Sequence, residues 1–453
     1  MPYLSRNIDS ALLDWKNTPD HKPLLLRGAR QVGKSSSLRH LGSTFKYYIE
    51  INFEKQPEMR ELFNTTTDVT QLTEALSRLT GTPVIPGQTF LFMDEIQACP
   101  EAMRRLWSFK EDLAELHVAA AGSLLEFAIK EMASFGVGRV RSLFMYPLSF
   151  SEFLEALGKH DWVEAINEAD SEHPLFNALH EELVRTFRMF LVIGGMPASV
   201  VAWLKYHDFR KCADELEDIQ QSYYDDFAKY AREVEPRLLR LTLQSVIAQT
   251  GGKFIYSKVG ESYRAEAVKK ALSLLVNAGI VKAVYHSSAR GMPLGAGVNE
   301  KFCKYLYLDT GLLLRILELD FDGVSATTEL ILAGTAAELV NRGGIAEMVT
   351  GLELVKSGSP RSPHELFYWE NLDKGTTSEV DYLISRNMKI VPIEVKSGTS
   401  GRMKSLRLFM KNRGITEAIR LSLENFGRLV IDDDGTTRTI DIVPLYAIPN
   451  LRK

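Results

Sequence analysis

Leu24-Leu25-Leu26-Arg27-Gly28-Ala29-Arg30-Gln31-Val32-Gly33-Lys34-Ser35 is the stretch on which the fold turns. Its leucines read as a strand buried on both faces. Gly28 to Ser35 fits G-x-x-x-x-G-K-[ST] at every fixed position, and a helix-like run from Ser35 to Leu41 follows. Glycines let the backbone wrap closely round phosphate oxygens, with successive N–H groups pointing inward. Lys34 is placed to reach β- and γ-phosphates, Ser35 offers a hydroxyl to Mg2+, and the helix adds its positive end. Gly28, Ala29, Arg30, Gln31, Val32, Gly33, Lys34 and Ser35 are therefore the candidate nucleotide-binding residues.

The surrounding sequence supports a parallel sheet. Unbroken apolar runs at Pro23–Arg27, Tyr47–Phe53, Thr89–Met93, His117–Ala121 and Ser142–Tyr146 alternate with helical patterns. The third run ends in Asp94-Glu95. An aspartate there helps hold Mg2+, and the neighbouring glutamate polarises the attacking water as general base. The fourth run ends in Gly122-Ser123, where Ser123 reads either as a γ-phosphate sensor or as a plain turn. Gly138-Arg139-Val140-Arg141 reads either as a cationic finger acting across a subunit boundary or as a solvated basic turn.

The chain has 453 residues, 45% hydrophobic and 25% charged, with a formal net charge of −4. That length exceeds one core, and the composition is that of a globular protein. No apolar run reaches the ~18 residues of a membrane span. Cys99, Cys212 and Cys303 lack metal spacing, which predicts reduced thiols and a cytoplasmic location. The pattern predicts an α/β protein in four parts. A P-loop NTPase domain with a parallel sheet covers 1–150, a helical lid or linker 151–235, a winged-helix-like module 236–320, and a further α/β domain 326–453. In the third part a helix (Ala265–Leu275), a strand, a glycine-rich tip and a return strand read as a winged helix, which serves either to bind DNA or as a protein–protein or structural module.

Near the C-terminus, Asp381 lies in the run Glu379–Ile384, and Glu394-Val395-Lys396 closes the next run. A tight turn at Arg386-Asn387-Met388 would set Asp381 and Glu394 side by side. Glu394 and Lys396, two apart, would share a strand face. Two carboxylates suit a second Mg2+ or a Mn2+, and Lys396 can orient water or stabilise phosphorane charge. Glu338, on a helix expected over 329–342, would add a third carboxylate. Eight cations between Arg386 and Arg413 (Arg386, Lys389, Lys396, Arg402, Lys404, Arg407, Lys411, Arg413) face only Glu394. They read either as a phosphate-binding stripe or as a solvated helix face.

These residues together resemble the bacterial and archaeal ATPases that join an AAA-type P-loop domain to a C-terminal region of unknown function. The markers are Arg27–Ser35, Asp94-Glu95-Ile96-Gln97, Ala121-Gly122-Ser123, Gly138-Arg139, Tyr146–Phe150 and Gly194-Gly195-Met196-Pro197. Further markers are Lys304-Tyr305, Asp309-Thr310-Gly311-Leu312, Glu338, Glu379-Val380-Asp381 and Ile393–Lys396. Ser35 stands where threonine is usual and keeps the hydroxyl. The resemblance implies ATP binding and hydrolysis, favours Arg139 as the finger, and implies a restriction-endonuclease-like PD-(D/E)xK fold for the tail. Lys34, Glu95, Arg139, Glu338, Asp381, Glu394 and Lys396 are then the catalytic candidates, and Ser35, Asp94, Asp381 and Glu394 the metal ligands. One expectation is an Mg-ATP-dependent ATPase coupled to a DNA-engaging, nucleolytic tail, assembled as a homo-oligomer with the finger in trans. The other is a nucleotide-switched binding protein with an inactive nuclease-like domain.

Overall fold

The computed structural model describes residues 3–122, 138–231, 233–317, 342–371, 378–398, 403–433 and 435–452. They form two compact units. One comprises Met1–Pro147, Asn277–Gly279 and Ser359–Pro363, and the other comprises the remainder.

The first unit is a five-stranded sheet of β1 (Leu24–Arg27), β2 (Tyr47–Asn52), β3 (Thr89–Asp94), β4 (His117–Ala121) and β5 (Arg141–Phe144). The order is β2-β3-β4-β1-β5 and every pair is parallel. Each strand lies within two residues of its apolar run, because unbroken runs such as Phe90–Met93 suit strands covered on both faces. Helices Pro57–Thr65 and Val69–Thr80 connect β2 to β3. Asp68 caps the second helix, its Oδ1 accepting from the N–H groups of Thr70 at 2.7 Å and Gln71 at 3.0 Å.

At the opening of β4, the His117 ring stacks on His21 at 3.8 Å with Trp15 edge-on. Burial pushes the His117 imidazole down to about 4. The folded chain therefore keeps it neutral at pH values where the unfolded chain, with an ordinary histidine near 6.5, binds a proton.

The second unit begins with helices from Phe150 to Ala248 and continues into an eight-stranded mixed sheet. Its strands are β6 (Val281–Ser287), β7 (Val298–Tyr307), β8 (Leu366–Glu370), β9 (Glu379–Arg386), β10 (Lys389–Val395), β11 (Glu417–Ser422), β12 (Gly427–Asp433) and β13 (Thr436–Pro444). The order is β12-β13-β11-β10-β9-β8-β6-β7. The hairpin expected as a wing is thus not free. β6 pairs in parallel with β8 through Val284 and Leu366, so β6 and β7 end the sheet to which the tail's strands belong. A largely apolar β6 gains a second hydrogen-bonded neighbour in this way, sparing it an open edge. Helix Arg342–Lys356, not anticipated from the sequence, packs against β7 and β10. The expected helix over 329–342 and the linker near Asp320–Ser325 lie outside the described residues, apart from Arg342.

Two sequence motifs meet in this unit. Helix Asn177–Ile193 ends at Gly194, and helix Pro197–Tyr206 leaves at 119°. Among the described residues no single helix is long and apolar enough to cross a membrane. The Asp309 carboxylate accepts from Gly195 N at 2.7 Å and Leu312 N at 3.1 Å. It caps helix Thr310–Ile316 and clamps the glycine turn together. Gly194 has φ +73°, and a Cβ there would lie 2.2 Å from Asp309 Oδ1.

Two outcomes are expected. Gly194→Ala loses roughly 1–3 kcal/mol of stability, read from its denaturant midpoint. The first unit's urea midpoint holds above pH 6.5 and declines as pH falls toward 4, and His117→Gln flattens that slope.

Candidate functional site

The phosphate loop joins β1 to helix Lys34–Gly42. A side chain at Gly28 has no room, since a Cβ would lie 2.1 Å from Met145 O in the segment after β5. Gly28 thus lets the loop lie directly against that segment. Arg6, buried, donates to Val32 O at 2.9 Å and Tyr146 O at 2.7 Å, tying the loop to the same segment. The Lys34 side chain, 7% exposed, folds back over the loop. Its Nζ donates to Gly28 O at 2.9 Å and Ala29 O at 2.7 Å. Burial pulls this ammonium down to about 8, against the opposing pull of Glu95 and Asp94.

Both acids of the pair belong to this neighbourhood. Ser35 Oγ donates to Asp94 Oδ1 at 3.0 Å, while Asn52 Nδ2 at 3.3 Å and the Arg39 guanidinium at 3.8 Å approach Oδ2. Burial and the adjacent Glu95 raise the Asp94 carboxyl above its ordinary value. Glu95 is held with φ +49°, a left-handed conformation unusual for glutamate, and its Oε2 accepts from Gln97 Nε2 at 2.6 Å. Such backbone strain at a strand end is typical of functional positions.

Arg139 lies elsewhere. Leu24 pairs with Arg141 in register, so Arg139 sits where β1 and β5 begin, at the sheet edge opposite the loop. Its guanidinium pairs with Glu111 at 2.9 Å over the Trp107 ring and is 54% exposed. The structure therefore does not bring Arg139 to the phosphate loop of its own chain. Ser123 and Glu338 lie outside the described residues.

In the second unit, β9 and β10 form the expected hairpin, turning at Asn387 and Met388, both with positive φ. Tyr382 pairs with Ile393, which brings Asp381 and Glu394, the next residue of each strand, side by side. Asp381 Oδ2 accepts from Val395 N at 2.7 Å, and Lys396 Nζ donates to Glu394 Oε1. Glu394 Oε2 is buried and has no partner among the described residues. Burial and the facing Asp381 push Glu394 up to about 7, and burial also raises Asp381.

Three further residues complete this centre. Glu347, on helix Arg342–Lys356, Glu379 and Asp381 each place a carboxylate oxygen within 4.8 Å of the others. Lys304 of β7, 1% exposed, pairs with Glu347 at 2.6 Å and also with Glu379, and its ammonium lies 5.0 Å from the centre of the Tyr368 ring. Burial alone would lower the Lys304 ammonium, but the carboxylates of Glu347, Glu379 and Asp381 outweigh it and raise it above its ordinary value. Burial pushes Glu347 up to about 8. Sequence reasoning assigned no role at the site to these three. Glu379 carried a signal, two residues from Asp381 on one strand face. Lys304 and Glu347 join only through the tertiary fold.

The basic stripe is partly neutralised. Arg386 and Lys389 pair with Glu417, each at 3.4 Å, Arg407 pairs with Asp433 at 2.6 Å, and Arg413 donates to Ser288 O at 3.0 Å. Arg402 lies outside the described residues.

Residues 20–154 match the AAA domain family, residues 184–322 a domain of unknown function (DUF8612), and residues 342–448 another domain of unknown function (DUF4143). No curated protein matches the chain. Among solved structures, a Walker-type ATPase of Pyrococcus abyssi aligns at TM-score 0.45 and 16% identity over 69% of this chain and 96% of its own. An ORC1 protein of Aeropyrum pernix, solved in complex with DNA, aligns at TM-score 0.29 and 15% identity over 70% and 94%. Cdc6p of Pyrobaculum aerophilum aligns at 0.23 and 11% over 72% and 92%. Lys34→Ala is expected to cut ATP turnover by about 10²-fold or more, measured as phosphate release. With its AAA domain built on the loop at Gly28–Ser35, the chain is a P-loop ATPase.

Proposed function

We propose that ATP turnover in the first unit drives a metal-dependent centre in the second that cleaves DNA. The observation that carries this reading is the β9–β10 hairpin, which sets Asp381 opposite Glu394 with Lys396 on the same face. The orphaned, buried Glu394 Oε2 fits a cation, since a carboxylate oxygen removed from water needs a donor or an ion. Asp381 and Glu394 would hold Mg2+ or Mn2+. Such an ion supplies Lewis acidity and a nucleophilic hydroxide at neutral pH. Lys396 orients the phosphate and offsets its developing charge. Lys404, Arg407 and Lys411, all exposed, recur along one face of helix Lys404–Arg413, at the spacing of a phosphate-contacting surface, with Arg407 also paired to Asp433. This nuclease-like core and the helix–hairpin unit beside it are the tail and winged-helix-like module of this reading.

In the first unit, Lys34 exchanges the carbonyls of Gly28 and Ala29 for the β- and γ-phosphates. Ser35 and Asp94 would hold the nucleotide's Mg2+. Their hydroxyl–carboxylate pair at 3.0 Å is the hard-oxygen set that this ion takes. Glu95 polarises water, and Ser123 senses the γ-phosphate. Arg139, at the far sheet edge, acts on a neighbouring copy, so the active form is a homo-oligomer. The buried, unbridged thiols of Cys99, Cys212 and Cys303 suit the reducing cytoplasm.

A second reading, a nucleotide-switched regulator with an inactive tail, draws support from Lys304, whose ammonium already answers two of the carboxylates. Cleavage of single-stranded and duplex DNA with Mg2+ or Mn2+ decides between them. The nuclease reading expects cleavage by the wild type and its loss in Asp381→Ala and Lys396→Ala. Intact DNA with the wild type and every metal tried would overturn it in favour of the regulator.

A further inference from the structure

The carboxylate centre carries more ligand groups than one hairpin supplies. Glu347, Glu379 and Asp381 converge within 4.8 Å, and Glu394 faces Asp381 across the β9–β10 register. Three carboxylates at this spacing, with the unpartnered Glu394 Oε2 beside them, are a ligand set large enough for two divalent ions. The chain, however, brings two cations of its own. Lys396 pairs with Glu394, and Lys304 reaches from β7 to Glu347 and Glu379.

Resting on the reading that Asp381 and Glu394 hold a divalent ion, we propose that Lys304 stands in for a second metal. By holding Glu347 and Glu379, its ammonium limits the centre to a single divalent ion at Asp381 and Glu394. Charge supports this division. With all four carboxylates ionised, the form that a bound cation selects, Glu347, Glu379, Asp381 and Glu394 less the Lys304 and Lys396 ammonium groups leave two negative charges, the complement of one divalent ion. An ion bound to the oxygens of Glu347 and Glu379 would sit within a few ångströms of the Lys304 ammonium. Like charges that close repel strongly in a buried setting. Lys304 is also fixed in place, with the Tyr368 ring 5.0 Å away and carboxylates from a helix and a strand on either side. No other cation among the described residues is paired with Glu347 or Glu379. This gives Lys304-Tyr305, a marker in the sequence without an assigned role, a specific task.

The test is the stoichiometry of Mn2+ binding to the full-length, nucleotide-free chain. It is read by calorimetry and by electron paramagnetic resonance, with Asp381→Asn as the blank that identifies ions held at this centre. The wild type is expected to bind one ion here, and Lys304→Met two. Lys304→Gln keeps a donor to Glu347 and serves if the methionine variant fails to fold. It too is expected to admit a second ion, and adding Glu347→Gln should return the count to one. Two ions in the wild type, or one ion in the wild type and still one in both folded Lys304 variants, would overturn the inference alone. No ion in the wild type or in any variant would remove the metal reading and the inference with it.

Discussion

A lysine ammonium taken out of water has to be answered by dipoles or by carboxylates, and each unit is arranged round one that is. In the first unit Lys34 is answered by the carbonyls of Gly28 and Ala29, a weak match that leaves its proton loosely held. A phosphate offers a better partner, so the loop is poised for an anion without being collapsed onto a competing carboxylate. In the second unit Lys304 is answered by Glu347 and Glu379, a strong match that holds its proton firmly. One buried ammonium is thus available to a ligand and the other is committed to the fold.

The same logic of close approach governs the supporting structure. Gly28 admits Met145 O where a side chain would collide, and Arg6 ties Val32 and Tyr146 across that contact. Asp309 takes the N–H groups of both Gly195 and Leu312 with one carboxylate. In each case a charged group is buried because backbone groups from two segments converge on it, and the glycines mark where the backbones must come within reach.

Much of this was legible in the residues. The strands of the first sheet follow from apolar runs without alternation, because strands covered on both faces need no polar side. The phosphate loop and the acid pair at the end of β3 were legible because their chemistry is local. The meeting of Asp381 and Glu394 was legible because a tight turn converts a separation of thirteen residues into a cross-strand pair. The position of Arg139 at the edge opposite the loop was not, since only strand register reveals it. Nor was the fusion of β6 and β7 with the tail's sheet, because a parallel β6–β8 pair has no turn to announce it.

By itself, the sequence determined the local chemistry: an anion-binding loop, a hydroxyl and carboxylate for a cation, and a hairpin bearing two acids and a lysine. Each depends on spacing within one element or across one turn, which covalent geometry dictates. Tertiary structure alone decided that Lys304 enters the carboxylate centre, meeting Glu347 and Glu379 across 43 and 75 residues of chain. Such a meeting is enforced by packing a helix and a strand edge onto one sheet, where a buried charge is tolerated only beside its opposite. No periodicity or spacing along the chain carries that information.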